Sequence, residues 1–398
     1  MRFETVPVSG ELHLIGGEGA VVRSDLRAAK DMLTERFAHS ARVVYIDPPF
    51  NTGGSFEFRR GKKLSAYSDS LPREEYLGLM REAMLLSKAL LKEDGTFFLH
   101  IDCRMSARLK LIADEVFGED AFTNEIIWAY RSGGRSRRSF ASKHDTILMY
   151  RMSPDSYFDL EAVGKPRGAK RRNHMKKGFD ETGRVYYSIK TNGREYRYYE
   201  DDLVYPSDVW DDIEHLHQRD PERTGFITQK PEALLKRIIL SCSKEDDTVI
   251  DLFGGSGTTA AAAAGLNRRF VTVDRASAAT AVTRRRLIER CLKLRLYDAA
   301  KPMTLERDCA ETAPIDVEKY FEIRDDYGRL SLRLRRLPAE ARPYYIASGF
   351  LENGVFTATD YNIDPLPGDD IKLDPGRVLH IVDEDLEDHY IKVMKTEN

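Results

Sequence analysis

Four short segments are apolar nearly throughout rather than alternately: Arg42–Ile46, Thr96–Ile101, Thr248–Leu252 and Arg269–Val273. A strand that is apolar on both faces must be covered on both, and a parallel sheet flanked by helices provides that cover. Helical segments fit between them at Glu74–Leu91, Ala107–Phe117, Pro231–Cys242, Thr259–Gly265 and Ser277–Leu294. Within the third of these, Leu234, Leu235, Ile238 and Ile239 fall on one helical face. The pattern predicts an α/β chain built on a doubly wound, mostly parallel sheet.

At 398 residues, with 41% hydrophobic and 32% charged residues, the chain is long enough for two or three globular domains. No apolar run approaches the roughly 18 residues of a membrane span. The start, Met1-Arg2-Phe3-Glu4-Thr5, lacks the basic-then-apolar plan of a secretory signal. Cys103, Cys242, Cys291 and Cys309 show no paired spacing and read as reduced thiols, so a cytoplasmic protein with no membrane partner is expected. Between Ser153 and Gly225 the style changes to Lys, Arg, Gly and Tyr without helical period, an inserted irregular or β-rich module. From Arg131 to Glu200 there are 17 Lys and Arg against 8 Asp and Glu; from Lys301 to Asn398 there are 13 against 21. A basic middle can neutralise phosphates, and an acidic end cannot.

The sharpest motif is Asp47-Pro48-Pro49-Phe50, directly after the strand that ends at Ile46. Side chains at the carboxyl ends of parallel strands enter the ligand crevice. Two prolines stiffen the turn and leave the Pro48 carbonyl without a helical partner. Asp47 and that carbonyl can together accept both hydrogens of an amino group, and Phe50 offers a ring for a flat base. The second motif is Asp251-Leu252-Phe253-Gly254-Gly255-Ser256-Gly257-Thr258-Thr259, a strand, a glycine loop and an Ala-rich helix, with Asp274 ending the next strand. Gly255 to Ala260 also fits G-x-G-x-x-A with an acid 19 residues on, the fingerprint of a dinucleotide oxidoreductase. Against that reading, Asp251 and Phe253 suit a ligand with a cationic amine and a purine, and Asp47-Pro48-Pro49-Phe50 has no part in hydride transfer. Lys230, in Thr228-Gln229-Lys230-Pro231-Glu232, stands near a helix start where it could bind a carboxylate; Pro231 suits the first helical position.

These blocks resemble the β-class amino-methyltransferases of DNA, most closely the Mod subunits of type III restriction–modification systems. The likeness runs through Tyr45-Ile46-Asp47-Pro48-Pro49-Phe50-Asn51-Thr52-Gly53, through Leu91–Asp102 and Ala107–Trp128, and through Thr228–Asp274. The resemblance implies a Rossmann-like class I methyltransferase fold, circularly permuted. It implies a catalytic half at 1–152, a target-recognition insert at 153–226, a cofactor-binding half at 227–300 and a small acidic C-terminal α+β or β domain at 301–398. It implies S-adenosylmethionine as cofactor and double-stranded DNA as partner, and it admits a homodimer and a separately encoded restriction subunit. Asp47, Pro48, Pro49 and Phe50 would be catalytic. Asp251, Phe253, Gly254, Gly255 and Gly257 would line the cofactor site, Asp274 would take the ribose, Lys230 the cofactor carboxylate and Asp25 the adenine edge. Ser24-Asp25-Leu26 departs from the family's Gly-Asp-Asn at the missing glycine.

The chemistry this implies is methyl transfer to N6 of an adenine flipped from the helix. N4 of cytosine is the alternative, since the aspartate-first motif resembles the adenine enzymes. A nucleotide-cofactor oxidoreductase and an inactive DNA-binding specificity subunit are the rivals from other classes. DNA contacts are expected from Arg131, Arg135, Arg137 and Arg138, with Gly133-Gly134 as a hinge. His215-Leu216-His217 reads as a polar loop and not a metal site, and Gly16-Gly17-Glu18-Gly19 as a turn.

Overall fold

A computed structural model describes residues 2–5, 12–15, 19–51, 54–60, 62–69, 71–131, 137–169, 175–226, 228–294, 302–307, 315–326, 329–338, 341–352, 355–363, 365–373 and 376–394. Its centre is a run of parallel strands in the spatial order Gly19–Arg23, Arg269–Asp274, Thr248–Asp251, Ala41–Ile46 and Leu91–Ile101. All four apolar segments are therefore neighbours, as their composition requires. Chain order reverses between Thr248–Asp251 and Ala41–Ile46, because each is followed by a helix that leads to a strand on its outer side. Such a switch point opens a crevice at the carboxyl ends of the two strands.

Side chains alternate along each strand, and the two faces bury separate cores. Val44, Ile46, Phe97, Leu99 and Ile250 pack beneath the helices Leu26–Phe37, Arg73–Leu90 and Ser106–Phe117. Val43, Tyr45, Phe98, Val249 and Phe270 pack beneath Glu232–Cys242, Thr258–Gly265 and Ser277–Leu294. This is the doubly wound arrangement, with helix bounds within a residue or so of those read from periodicity. Pro231 is corrected by one position: it stands outside the helix as its cap rather than as its first residue.

The sheet is more mixed than its parallel centre. Beyond Leu91–Ile101 come His144–Arg151 and Phe122–Ala129, both antiparallel to their inner neighbours, and then the short strand Val209–Trp210. On the other side Pro302–Arg307 runs parallel to Gly19–Arg23, and through Leu12–Ile15 the sheet continues into strands of the C-terminal hundred residues. The expected change of character at residue 300 is thus not a break in the sheet. Arg284, on the last central helix, bonds Asp388 at 2.7 Å across the seam, both groups sealed from solvent. The insert carries the three-stranded antiparallel sheet Lys176–Phe179, Val185–Thr191 and Arg194–Tyr199, where Tyr186 and Tyr199 pair directly. Its tyrosines divide: Tyr187 is buried and Tyr196 is exposed.

Candidate functional site

A cleft with a cavity volume of about 140 Å³ opens at the switch point. Asp25, Asp47, Pro49, Lys230, Asp251, Phe253, Gly254, Gly255 and Asp274 all line it, although the chain supplies them from positions up to 249 residues apart. Pro48, Phe50 and Gly257 do not. Pro48 is buried behind the loop, and Phe50 packs toward the core below it. Asn51 closes the Pro-Pro-Phe turn in a left-handed conformation, φ 53°. Tyr45 and Thr228, which stand at the edges of the motif segments, also line the cleft, as do Leu71, Tyr76, Leu79 and Arg275, apolar or flanking positions without a distinctive local pattern.

The glycine loop is shaped by steric necessity at two points. Gly257 has φ +70°, and a Cβ there would sit 2.4 Å from Thr283 Oγ1. A Cβ on Gly254 would meet Thr272 Oγ1 at 2.1 Å. Both residues let the backbone press against the layer behind it. Asp251 ends its strand fully enclosed, accepting from Thr259 Oγ1 at 2.5 Å and from the Phe253 amide at 2.9 Å. Burial pushes its carboxyl up to about 7; those two hydrogen bonds pull the other way, and the charges of Asp47 and Asp274 add to the rise. Asp274 accepts the Gly255 and Ala276 amides, each at 2.9 Å, and burial raises it against their pull. Asp25 caps the helix Leu26–Phe37 by accepting the Arg27 amide at 2.9 Å.

Lys230 differs from expectation. Its Nζ donates to both oxygens of Asp47, at 2.9 and 2.7 Å, and lies 5.0 Å from the centre of the Phe50 ring. The family resemblance implies a cofactor carboxylate for this ammonium; in the structure it holds the carboxylate of the other motif. Its position is set by neighbours. Buried Gln229 clips the preceding turn, accepting from the Thr224 amide and donating to Glu222 O, each at 2.8 Å. Thr258 Oγ1 donates to Lys230 O at 3.1 Å. The pair is nearly enclosed, with the Asp47 side chain 18% exposed.

Of the arginines expected to contact DNA, Arg131 is exposed and its amide donates to Glu214 at 3.2 Å; Arg137 and Arg138 are exposed on the same segment. Arg135 and Gly133-Gly134 lie outside the described residues, as do residues 16–18 of the glycine turn. His215 is not simply polar loop: its ring stacks on Trp128 at 5.2 Å and 11°, and Leu216 is buried. Among the described residues no group of three or more His, Cys, Asp or Glu could hold a metal ion. Among them, too, no helix is long and apolar enough to cross a membrane.

The family described as DNA methylase matches residues 41–283, which includes both motifs and the insert between them. The type II methyltransferase M.EcaI of Enterobacter cloacae is 30% identical over 280 residues, covering 59% of this chain and 62% of that one. The StyLTI Mod subunit of a Salmonella typhimurium type III restriction-modification enzyme is 26% identical, over 61% of this chain and 50% of that one. The DNA adenine methyltransferase YhdJ of Escherichia coli is 27% identical, over 60% of this chain and 72% of that one. The chain thus spans about three-fifths of the length of M.EcaI and half that of the Mod subunit.

Proposed function

The chain belongs to the DNA methylase family, and on that premise we propose that it transfers a methyl group from S-adenosylmethionine to N6 of an adenine flipped out of double-stranded DNA. The observation that carries the reading is the convergence of Asp47 and the glycine loop on one cleft. The cleft fits the cofactor by charge: Asp25, Asp47, Asp251 and Asp274 line it against Lys230 and Arg275, a surplus of carboxylates suited to a cationic ligand. When bound, S-adenosylmethionine supplies a methyl group on a positively charged sulfur. Asp251, pushed up by its enclosure, becomes a good partner for an ammonium, which would restore its charge. Asp274, beside the Gly255 amide, is the candidate for the ribose hydroxyls, and Asp25 for the adenine edge.

Asp47 performs the decisive step in this reading. The amino nitrogen of adenine is a poor nucleophile because its lone pair is shared with the ring. Hydrogen bonds accepted by Asp47 and the Pro48 carbonyl draw that density back to nitrogen and aim it. Phe50, half-buried beside Asp47 and outside the cleft lining, is the candidate surface for the flipped base to stack on. Lys230 is then the counter-ion that holds Asp47 until an amino group takes its place, and the ammonium so released is available to a cofactor carboxylate. Arg131, Arg137 and Arg138 mark the start of a basic arm for backbone phosphates, and the insert supplies the choice of sequence. A second copy and a restriction subunit are the protein partners this reading admits.

Incubation of the full chain with labelled S-adenosylmethionine and unmodified genomic DNA, followed by nucleoside mass spectrometry, tests the proposal. N6-methyladenine is the expected product. N4-methylcytosine alone would replace the adenine assignment. Cofactor binding without any methylated product would leave a specificity subunit, and a melting shift with a nicotinamide dinucleotide in place of S-adenosylmethionine an oxidoreductase.

A further inference from the structure

Four polar side chains that no motif accounts for form a row across the sheet face beneath Glu232–Cys242. Tyr45, His100, Asp145 and Tyr130 belong to the strands Ala41–Ile46, Leu91–Ile101 and His144–Arg151 and to the residue after Phe122–Ala129, four neighbours in that spatial order. All four share the alternation that buries Phe98, Ile147 and Trp128 on this face. Tyr45 Oη lies 2.7 Å from His100 Nδ1, His100 Nε2 lies 3.2 Å from Asp145 Oδ2, and Tyr130 Oη donates to Asp145 Oδ1 at 3.1 Å. With the proton on Nε2, each link has one donor and one acceptor, from the Tyr45 hydroxyl through the imidazole to a carboxylate that also takes Tyr130.

His100 is fully buried and Asp145 nearly so. Polar groups in such a place cost stability unless paired, and apolar residues of the same volume would fill it at lower cost. The row's ends give it a use. Tyr45 stands two residues before Asp47, and the His100 ring lies 6.2 Å from Phe50. At the far end the Tyr130 amide bonds Lys143 O at 2.9 Å, and the next residue is Arg131, the root of the basic arm.

We infer that His100 is a positioning residue for the reaction, and that the row Tyr45–His100–Asp145–Tyr130 couples the placement of the Asp47 loop to the segment that enters the basic arm. The inference rests on the methyl-transfer reading. Its test uses the full chain and the variants Tyr45→Phe, Tyr130→Phe and both together, each losing only a hydroxyl. Single-turnover methyl transfer to unmodified DNA is measured beside cofactor affinity, DNA affinity, melting temperature and amide exchange of residues 45–51. Each single change should slow transfer about fivefold, one hydrogen bond's worth, and Tyr130→Phe, which lies outside the cleft lining, should do so without altering either affinity. The double change should slow it no further than the slower single, because the row acts as a unit. Tyr130→Phe should also speed exchange at residues 45–51, which a purely local role near residue 130 would not do. Parental rate and exchange in Tyr130→Phe, or losses that simply multiply in the double variant, would overturn the inference while leaving methyl transfer intact. A parental chain that methylates nothing would instead remove the functional reading, and this inference with it. Tyr130 is only half-buried, so its variant remains informative if Tyr45→Phe fails to fold.

Discussion

Two buried ion pairs, one at the crevice and one at the seam with the C-terminal strands, look alike in geometry and differ in what surrounds them. Lys230–Asp47 and Arg284–Asp388 each close at 2.7 Å. At the seam, Asp388 is 2% exposed and is also held by His380 Nε2 at 2.7 Å, so its charge is spent inside the protein. At the crevice, Asp47 keeps 18% of its side chain open, and among the described residues Lys230 is the cation it pairs with. A sealed pair fixes how two layers meet; a pair with an open edge can exchange its partner for a ligand. The surroundings, not the contact distance, separate the two roles.

The comparison breaks first if the seam is not structural. Asp388→Ala leaves Arg284 buried beside an emptied partner and should cost about 3–5 kcal/mol in urea denaturation; a loss under 1 kcal/mol would mean the seam readily opens to water. Next comes the crevice. Asp47→Ala should lower single-turnover methyl transfer about a hundredfold or more, with the urea midpoint close to parental, since Lys230 can turn toward the cleft. Substantial unfolding in that variant would make the crevice pair as structural as the seam. Phe50→Ala removes a stacking surface worth about 1–3 kcal/mol, and should appear as weaker binding of DNA carrying an unpaired target base, beside a lowered melting temperature from the part of the ring packed against the core.

The mildest expected change is a slope. Asp251 has a folded value of about 7 against its ordinary 3.8, so its neutral form is favoured in the folded state. That contribution is complete below the ordinary value and is lost as pH rises from there through about 7. Asp251→Asn should therefore gain on the parent across that window in denaturation series run without ligand. Parallel curves would show that burial does not raise the Asp251 carboxyl.

Much of this was readable in the chain, for local reasons. Strands apolar on both faces announce burial on both, and Asp47 and Gly254 to Gly257 follow such strands directly, so their place at the crevice follows from topology. What could not be read depends on partners far apart in sequence. Lys230 and Asp47 are separated by 183 residues, and only the folded strand order brings them together. His100 and Asp145 look like strand residues that interrupt apolar runs, and only sheet register turns them into a row. The antiparallel strands beyond Leu91–Ile101 carry no signal of direction, because alternation is the same whichever way a strand runs.

The junction of Ala41–Ile46 with Thr248–Asp251, where Val44 lies beside Ile250, has a consequence for synthesis. About 200 residues must be added between the two strands, which at ribosomal speed takes on the order of 10–40 seconds. Throughout that interval the strand leading to Asp47 has one hydrogen-bonding edge without its final partner, an apolar edge of the kind that invites pairing with the wrong chain. A chaperone that shields this edge during translation should raise the yield of correctly folded protein more than one that acts only after release.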